Sequence, residues 1–183
     1  MTCAITDLDA SELSEHIHAR RVSCVEVMQI YLQRIEQLNP TFNAIVNVAH
    51  HDTLIAQARA CDALLARGHS LGWMHGIPQA IKDTASALGF PSTQGSRVLA
   101  ANLPLHDSIM TERMKAAGCI VVGKTNMPEL GLGSHTFNDL FGATPNAWDT
   151  QVSAGGSSGG AAVAVAQRML PVADGSDFMG SLR

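Results

Sequence analysis

The second half of the chain repeats one order, a helix, then a short break, then an apolar strand, and this order constrains the fold more than any other feature. Residues 108–117 have helical character, Gly118 ends them, and residues 119–122 read Cys-Ile-Val-Val, which is typical of a strand buried on both faces. The alanine-rich residues 159–167 predict the next helix, and the apolar residues 170–173 predict the next strand. Helices that alternate with strands cover the faces of a sheet, so the sequence predicts a layered α/β fold.

The first seventy residues are predicted to be helical. Ser23 and Glu26 form a capping-box pattern ahead of an apolar stripe at helical spacing, and the stripe stops before Pro40. A second helix is expected over residues 53–67, where Gly68 supplies the C-terminal stop. We interpret the apolar residues of this second helix as core residues and not as a cofactor site.

The composition indicates a globular protein and excludes several classes of function. Hydrophobic residues make up 46% of the chain and charged residues 15%, which is typical of a folded domain and not of a disordered chain. The net charge is −4 and the twelve Lys and Arg residues are scattered, so we expect no binding to nucleic acid. No apolar run reaches the roughly 20 residues of a membrane span, and residues 1–7 lack the basic and apolar blocks of a signal peptide. These features predict a cytoplasmic protein without membrane contact.

The spacing of cysteines and histidines does not suggest a metal site. The cysteines show no paired spacing and are expected to be reduced, buried thiols. They are Cys3, Cys24, Cys61 and Cys119. Histidines two apart or adjacent, such as His16 with His18 or His50 with His51, face different directions on a helix and do not converge on one ion. We therefore predict that the protein binds no metal.

Three glycine-containing islands carry a lysine and two serines with catalytic potential. Residues 76–81 predict a short strand that places Lys82 at its end. Ser157 lies in the Gly-Gly-Ser-Ser-Gly-Gly run at 155–160, and Ser181 follows a glycine near the C-terminus. A serine hydroxyl is a weak nucleophile that needs a base, and a lysine can be that base if burial keeps its amine neutral. Together the islands predict a hydrolase with Ser-Ser-Lys chemistry, and no histidine lies in a comparable glycine-rich context.

Each island taken alone has a second interpretation. The run at 155–160 is typical of a flexible loop, and at the N-terminus of a helix it also fits a phosphate cradle in a nucleotide-binding module. The run lacks the Gly-Lys-Ser/Thr ending of a P-loop, which disfavours nucleotide binding. The joint pattern of the three islands is far more specific than any one of them.

The order of the islands and the 24 positions between Ser157 and Ser181 resemble the amidase signature family. The segments at 123–129 and 141–146 are also similar to family segments. The resemblance implies an amide hydrolase without a cofactor, in which a mixed central sheet is covered by helices. It divides the chain into a helical N-terminal segment at 1–70 and the N-terminal part of the α/β core at 71–183.

The resemblance implies a role for each residue of the islands. Ser181 is the implied nucleophile, Ser157 the bridging acid and base, and Lys82 the final proton acceptor, with a cis peptide bond before Ser157. The implied oxyanion hole consists of backbone N–H groups just before the nucleophile, those of Phe178, Met179 and Gly180. The implied substrate-binding wall is Gly131, Leu132, Gly133 and Ser134. Residues expected to support the site from behind are Ser158, Asp177 and Arg183.

Two of these roles have alternatives. Ser158 is adjacent to the bridging position and could be mistaken for it, but the 24-residue spacing selects Ser157. Asp177 fits an ion pair with Arg183 that braces the loop, and it fits equally a turn residue that caps its own backbone.

The chain departs from the family pattern in two ways. The usual segment before the nucleophile is Gly-Ser-Asp-Thr-Gly-Gly-Ser, whereas Phe178 and Met179 stand here in place of Thr and Gly and are expected to crowd the acyl site. Family members are several hundred residues long, and this chain ends two residues after Ser181. We therefore expect an incomplete sheet. The expected partners are a small-molecule amide and the missing C-terminal part of the domain, with a homodimer as a further option. The alternative is an inactive fragment that serves only in folding or interaction.

Overall fold

The computed structural model describes residues 5–183, and Cys3 lies outside these residues. The described residues contain five α-helices. These are α1 Ala10–His18, α2 Cys24–Phe42, α3 His51–Ala66, α4 Ile109–Ala116 and α5 Gly159–Ala166. No helix in this part of the chain is both long and apolar enough to cross a membrane.

The start of α2 follows the sequence prediction, but its end does not. The Ser23 side chain accepts from the backbone N–H of Glu26 and the Glu26 side chain accepts in return, which completes the predicted capping box. The helix continues past Pro40 to Phe42, whose side chain is buried. Asn43 then ends the helix in the left-handed conformation, with φ of 45°, and donates its N–H to the carbonyl of Asn39 at 2.7 Å. A proline in the last turn therefore did not stop this helix.

The described strands form a three-stranded mixed sheet and a separate hairpin. The sheet contains β1 Ile45–Val46, β2 Pro78–Lys82 and β3 Ile120–Thr125, in the order β1-β3-β2. The hairpin pairs β4 Phe137–Asn138 with β5 Gly142–Ala143. Strand β3 is parallel to β2 and antiparallel to β1, and every residue of β2 and β3 is buried. The predicted mixed α/β architecture is confirmed. The small size of the two sheets fits the expectation of an incomplete central sheet.

Two strand predictions need correction. Residues 170–173 do not form a strand, although their apolar character predicted one. Beyond them the Asp174 side chain, not a neighbouring backbone, accepts the Lys82 N–H at the edge of β2. Strand β1 was not predicted, because it is only two residues long and lies in the segment expected to be helical.

Strands β2 and β3 and helix α5 together determine where the candidate residues lie. Lys82 is the last residue of β2 and pairs in register with Thr125, the last residue of β3. Helix α5 packs its first turn directly on the residue after β3, since the Gly160 N–H donates to the Asn126 carbonyl at 3.2 Å. A Cβ at Gly160 would lie 2.5 Å from the Asn126 backbone nitrogen and 2.7 Å from the Ala44 carbonyl oxygen. Only glycine therefore allows the helix to approach the sheet this closely.

Candidate active site

The Lys82 amine is buried among three serine hydroxyls. The residue is 1% exposed, and its Nζ lies 2.8 Å from Ser157 Oγ, 2.9 Å from Ser158 Oγ and 2.9 Å from Ser176 Oγ. The Ser176 carbonyl oxygen is 3.4 Å away. A neutral amine has two N–H donors and one lone pair, so in this cage it can donate to two neighbours and accept from a third.

Burial lowers the pKa of Lys82 below its ordinary value, because removal from water disfavours the charged ammonium form. The negative charges of Asp174 and Asp177 act in the opposite direction and raise it, but the net pKa shift is downward. The neutral form of the Lys82 amine is therefore more populated near neutral pH than it is for a lysine in water. A lysine in this state is able to accept a proton from a hydroxyl.

Ser181 lies on the far side of the two adjacent serines. Its Oγ is 3.3 Å from Ser157 Oγ and 2.6 Å from Ser158 Oγ. The backbone N–H of Ser158 also donates to Ser181 Oγ, at 2.9 Å. The structure thus brings Lys82, Ser157 and Ser181 together, and it places Ser158 on a second path between the amine and Ser181.

The loop before α5, which carries Ser157, is fixed by hydrogen bonds at both of its ends. The Gly156–Ser157 peptide bond is cis, as the resemblance implied. The Thr136 hydroxyl donates to the Gly155 carbonyl at 2.7 Å and accepts the Gly159 N–H at 3.1 Å. The N–H groups of Ser158, Gly159 and Gly160 all have acceptors within the chain. The phosphate-cradle interpretation of residues 155–160 therefore loses the donors that it requires.

Asp177 combines the two roles that the sequence left open. Its carboxylate accepts from the N–H groups of Gly180 at 2.7 Å and Leu182 at 3.1 Å, and it also forms a two-pronged ion pair with Arg183 at 3.0 and 3.1 Å. The Arg183 guanidinium and these N–H groups hold the pKa of Asp177 well below its usual range. Asp177 and Arg183 therefore brace the loop that carries Ser181.

This bracing affects the candidate oxyanion hole. The Gly180 N–H already donates to Asp177 Oδ1, so it is not free to bind an oxyanion in this structure. The N–H groups of Phe178 and Met179 have no acceptor among residues 5–183. Phe178 and Met179 therefore remain the candidate donors, and the role of Gly180 is the less favoured part of the sequence-based assignment.

A cavity of about 380 Å³ opens beside Ser157 and Ser181. The four predicted wall residues line it together with the two bulky residues before Ser181. The lining is Gly131, Leu132, Gly133, Ser134, Gly156, Ser157, Phe178, Met179 and Ser181. The side chains of Leu132, Phe178 and Met179 remain largely exposed at its edge, at 78%, 93% and 88%. The cavity is a short cleft with an apolar rim.

Sequence reasoning missed three side chains that contact this site, namely Thr136, Asp174 and Ser176, and it missed Gln79, which contacts Asp174. Ser176 holds the Lys82 amine, and Asp174 holds its backbone N–H. Ser176 lies in the Gly-Ser-Asp segment before Ser181, so its position in the motif was a usable signal. Asp174 lies 92 positions from Lys82, and no local pattern links the two.

A buried ion pair directly follows the lysine. Asp83 Oδ1 lies 3.1 Å from Lys124 Nζ, and the two side chains are 1% and 0% exposed. The Asp83 carboxylate also accepts from the N–H groups of Thr93 and Gly95, each at 3.3 Å, and Lys124 donates to the Ala85 carbonyl at 2.7 Å. These contacts tie the loop after β2 to β3, and a fully hydrogen-bonded pair is what a buried charge requires.

The described cysteines are buried thiols, as predicted, and they are Cys24, Cys61 and Cys119. Burial raises the pKa of each thiol, in the case of Cys119 to about 12. Within residues 5–183, no three His, Cys, Asp or Glu side chains lie close enough together to hold a metal ion.

Comparisons with known proteins place the chain among amidases and related enzymes. The model of the family described as Amidase matches residues 26–183. The chain is also similar to one component of the glutamyl-tRNA(Gln) amidotransferase of Acidothermus cellulolyticus. The two are 44% identical over 174 residues, which cover 95% of this chain and 34% of that protein.

Solved structures of amide-hydrolysing enzymes also resemble this chain. Fatty acid amide hydrolase superposes with a TM-score of 0.92 at 28% identity, over 98% of this chain and 32% of that one. A bacterial aryl acylamidase of the amidase signature enzymes superposes with a TM-score of 0.85 at 34% identity, over 91% of this chain and 34% of that one. The chain spans about a third of the length of the curated relatives that it matches.

Proposed function

Because the chain belongs to the amidase signature family, we propose that it carries the nucleophile and proton relay of an amide hydrolase. The observation that carries the proposal is the chain of short contacts from a buried amine to a serine hydroxyl. Lys82 Nζ lies 2.8 Å from Ser157 Oγ, which lies 3.3 Å from Ser181 Oγ. A hydroxyl linked in this way to a neutral amine can lose its proton as it attacks.

In the proposed reaction, Ser181 Oγ attacks the amide carbon and its proton passes through Ser157 to Lys82. The tetrahedral intermediate collapses to an acyl-enzyme on Ser181, and a proton returned through Ser157 leaves with ammonia or an amine. Water then attacks the acyl-enzyme by the same relay, releases the carboxylic acid and restores the Ser181 hydroxyl. The Ser158 N–H, at 2.9 Å from Ser181 Oγ, stabilises negative charge that develops on that oxygen.

The proposed substrates are small-molecule amides, and the cleft edge favours apolar or aryl groups. Leu132, Phe178 and Met179 are the exposed side chains at that edge. We also propose that turnover needs polypeptide equivalent to the rest of the relatives' length, since this chain spans about a third of it. A second copy of the chain is a further candidate partner.

A second candidate function is release of ammonia from glutamine for use by a partner protein. It is favoured by the 44% identity to a component of an amidotransferase. The two candidates differ in substrate, because one predicts turnover of aryl or alkyl amides in isolation and the other predicts turnover of glutamine that a partner enhances.

The experiment uses the protein at the full length that its gene encodes, and in parallel the 183-residue chain. Ammonia or amine release is measured over a panel of aryl amides, alkyl amides and glutamine. We expect activity that survives a chelator, is blocked by a fluorophosphonate and is absent from Ser181→Ala. Activity that persists in Ser181→Ala would contradict the proposal, and so would activity lost on chelation. If only the 183-residue chain is inactive, the inactive-fragment alternative holds for that chain alone.

A further inference from the structure

The Asp174 carboxylate lies against the free edge of β2, beside the residue that carries the proposed base. Both of its oxygens accept the Lys82 backbone N–H, at 3.2 and 3.1 Å. Its Oδ1 also accepts from Gln79 Nε2 at 3.2 Å. One half-buried carboxylate thus holds two points of the strand that delivers Lys82.

The backbone geometry explains why a side chain is needed there. The Asp83 N–H points toward β3 and donates to the Thr125 carbonyl at 3.3 Å. The preceding N–H, that of Lys82, points to the opposite edge, where the described chain has no further strand. A buried N–H without an acceptor is costly, and Asp174 supplies that acceptor.

The orientation of Gln79 supports an ionised Asp174. The amide turns its nitrogen to Asp174 and to the Ala80 carbonyl, which leaves Gln79 Oε1 without a partner among residues 5–183. The reverse orientation would set the amide oxygen against the carboxylate. Burial raises the pKa of Asp174 above its usual value, and the hydrogen bonds from Lys82 and Gln79 favour the charged form and offset only part of that rise. The Gln79 amide therefore donates a hydrogen bond to the Asp174 carboxylate, while its own oxygen is left without a donor among the described residues.

The other charges near Lys82 each have a partner of opposite sign. Asp177 is paired with Arg183, and Lys124 is paired with Asp83. Asp174 forms no ion pair with a cationic side chain in the described part of the chain, although its charge is also felt by Lys124 and by the Cys119 thiol. Its charge is consequently the least compensated one that acts on the Lys82 amine.

We infer that Asp174 is a positioning residue for the proposed base: it fixes the Lys82 backbone, and its charge sets how readily the Lys82 amine is protonated. This inference rests on the proposed function. The downward pull of burial on the Lys82 pKa is partly offset by Asp174, so the two together set the pH at which the base becomes available.

The first test is the pH dependence of kcat/KM in the full-length protein, for wild type, Asp174→Asn and a charge-matched control. Asp52→Asn is the control, since it removes the same charge from a side chain that is 87% exposed. The rate rises with pH as Lys82 loses its proton, and loss of the Asp174 charge lowers the Lys82 pKa. We expect this limb to move to lower pH by about 0.5 to 1 unit in Asp174→Asn and to stay in place in Asp52→Asn. An unmoved limb, or one that moves to higher pH, would overturn the electrostatic role.

The second test separates the hydrogen bond between Asp174 and the Lys82 backbone from the proposed role of Lys82 as a base. Asp174→Leu should lower kcat by roughly 10- to 100-fold with little change in KM, because the amine is misplaced while the cleft is intact. Amide hydrogen exchange should accelerate at Lys82 and leave the interior of β3 unchanged. Unchanged exchange at Lys82 would show that the contact is wrong, whatever the activity. Wild type that hydrolyses no amide would overturn the proposed function, and the exchange result would still decide the contact. If Asp174→Leu does not fold, Asp174→Ala, which also lacks an acceptor for the Lys82 N–H, carries the kcat and exchange measurements.

Discussion

Replacement of Lys82 by methionine separates the proposed catalytic role of the amine from its role in packing. Methionine is an unbranched side chain of similar length, so it fills the space of a residue that is 1% exposed without opening a large cavity. It removes the one group in the cage that can accept a proton. Lys82→Arg retains the positive charge but cannot act as a base, because guanidinium stays protonated.

The expected loss of activity follows from the lost proton transfer. General base catalysis contributes on the order of 10² to 10⁴ in rate, which corresponds to about 2.7 to 5.5 kcal/mol of barrier. We expect kcat/KM to fall by this factor in Lys82→Met and in Lys82→Arg alike. The measurement is amine release from the best amide of the panel, together with the labelling rate of Ser181 by a fluorophosphonate.

Lys82→Met should lower activity but raise the free energy of unfolding at low pH. The folded pKa of Lys82 lies below its unfolded value, so in the pH interval between them the unfolded chain binds more protons than the folded one. Wild-type stability therefore gains with rising pH through this interval, and Lys82→Met lacks that gain. The free energy of unfolding of Lys82→Met relative to wild type should be most favourable at low pH and should decline as pH rises. Urea unfolding at several pH values measures this difference.

Two results would refute the reasoning. Near-wild-type turnover by Lys82→Arg would show that no neutral amine is needed. A stability difference between Lys82→Met and wild type that does not change with pH would show that burial does not perturb the amine.

Three further predictions concern the serines, the cleft edge and the thiols. Ser157→Ala should lower kcat by about 10²-fold or more, while Ser158→Ala should cost roughly tenfold, because the Ser158 N–H to Ser181 Oγ survives the substitution; steady-state kinetics compare the two. The double change Phe178→Thr with Met179→Gly should shift relative kcat/KM toward bulkier acyl groups by about 10- to 100-fold, measured over an acyl series. The Cys119 thiol, whose pKa is raised to about 12, should react with a thiol reagent at about pH 8 only as fast as the chain unfolds.

Each of these predictions has a result that would contradict it. A larger loss in Ser158→Ala than in Ser157→Ala would assign the relay to Ser158. Equal slowing of every acyl substrate would show that Phe178 and Met179 maintain loop shape and do not select substrate. Rapid labelling of native Cys119, against a denatured control, would show that the thiol is accessible.

The parts of the fold that the sequence predicted are those with strong local signals. The Ser23 and Glu26 pair specifies the start of a helix within four residues, and the apolar run at 119–122 predicted the buried strand that the structure has at Ile120–Thr125. The Asp9 and Glu12 pair forms the same capping box at the start of α1, a local signal that the sequence analysis did not use. Local hydrogen bonds of this kind need no tertiary context.

The parts that failed depend on distant partners. Residues 170–173 have the composition of a strand, but a strand also needs a neighbour, and the described chain provides none there. The contact between Asp174 and Lys82 spans 92 positions, so only the folded chain reveals it. For the site, motif spacing singled out Lys82, Ser157 and Ser181, and it could not reveal that Ser158 approaches Ser181 more closely than Ser157 does.

The close approach at Gly160 has a consequence for which parts of this protein are free to vary. Helix α5 rests backbone to backbone on Asn126 and Ala44, so the distance between the serine loop and the end of β3 depends on the absence of a side chain at Gly160. The opposite side of the cleft consists of the exposed side chains of Leu132, Phe178 and Met179, which carry no such constraint. Side chains on the cleft edge can therefore be exchanged without moving the wall that carries the proposed catalytic residues.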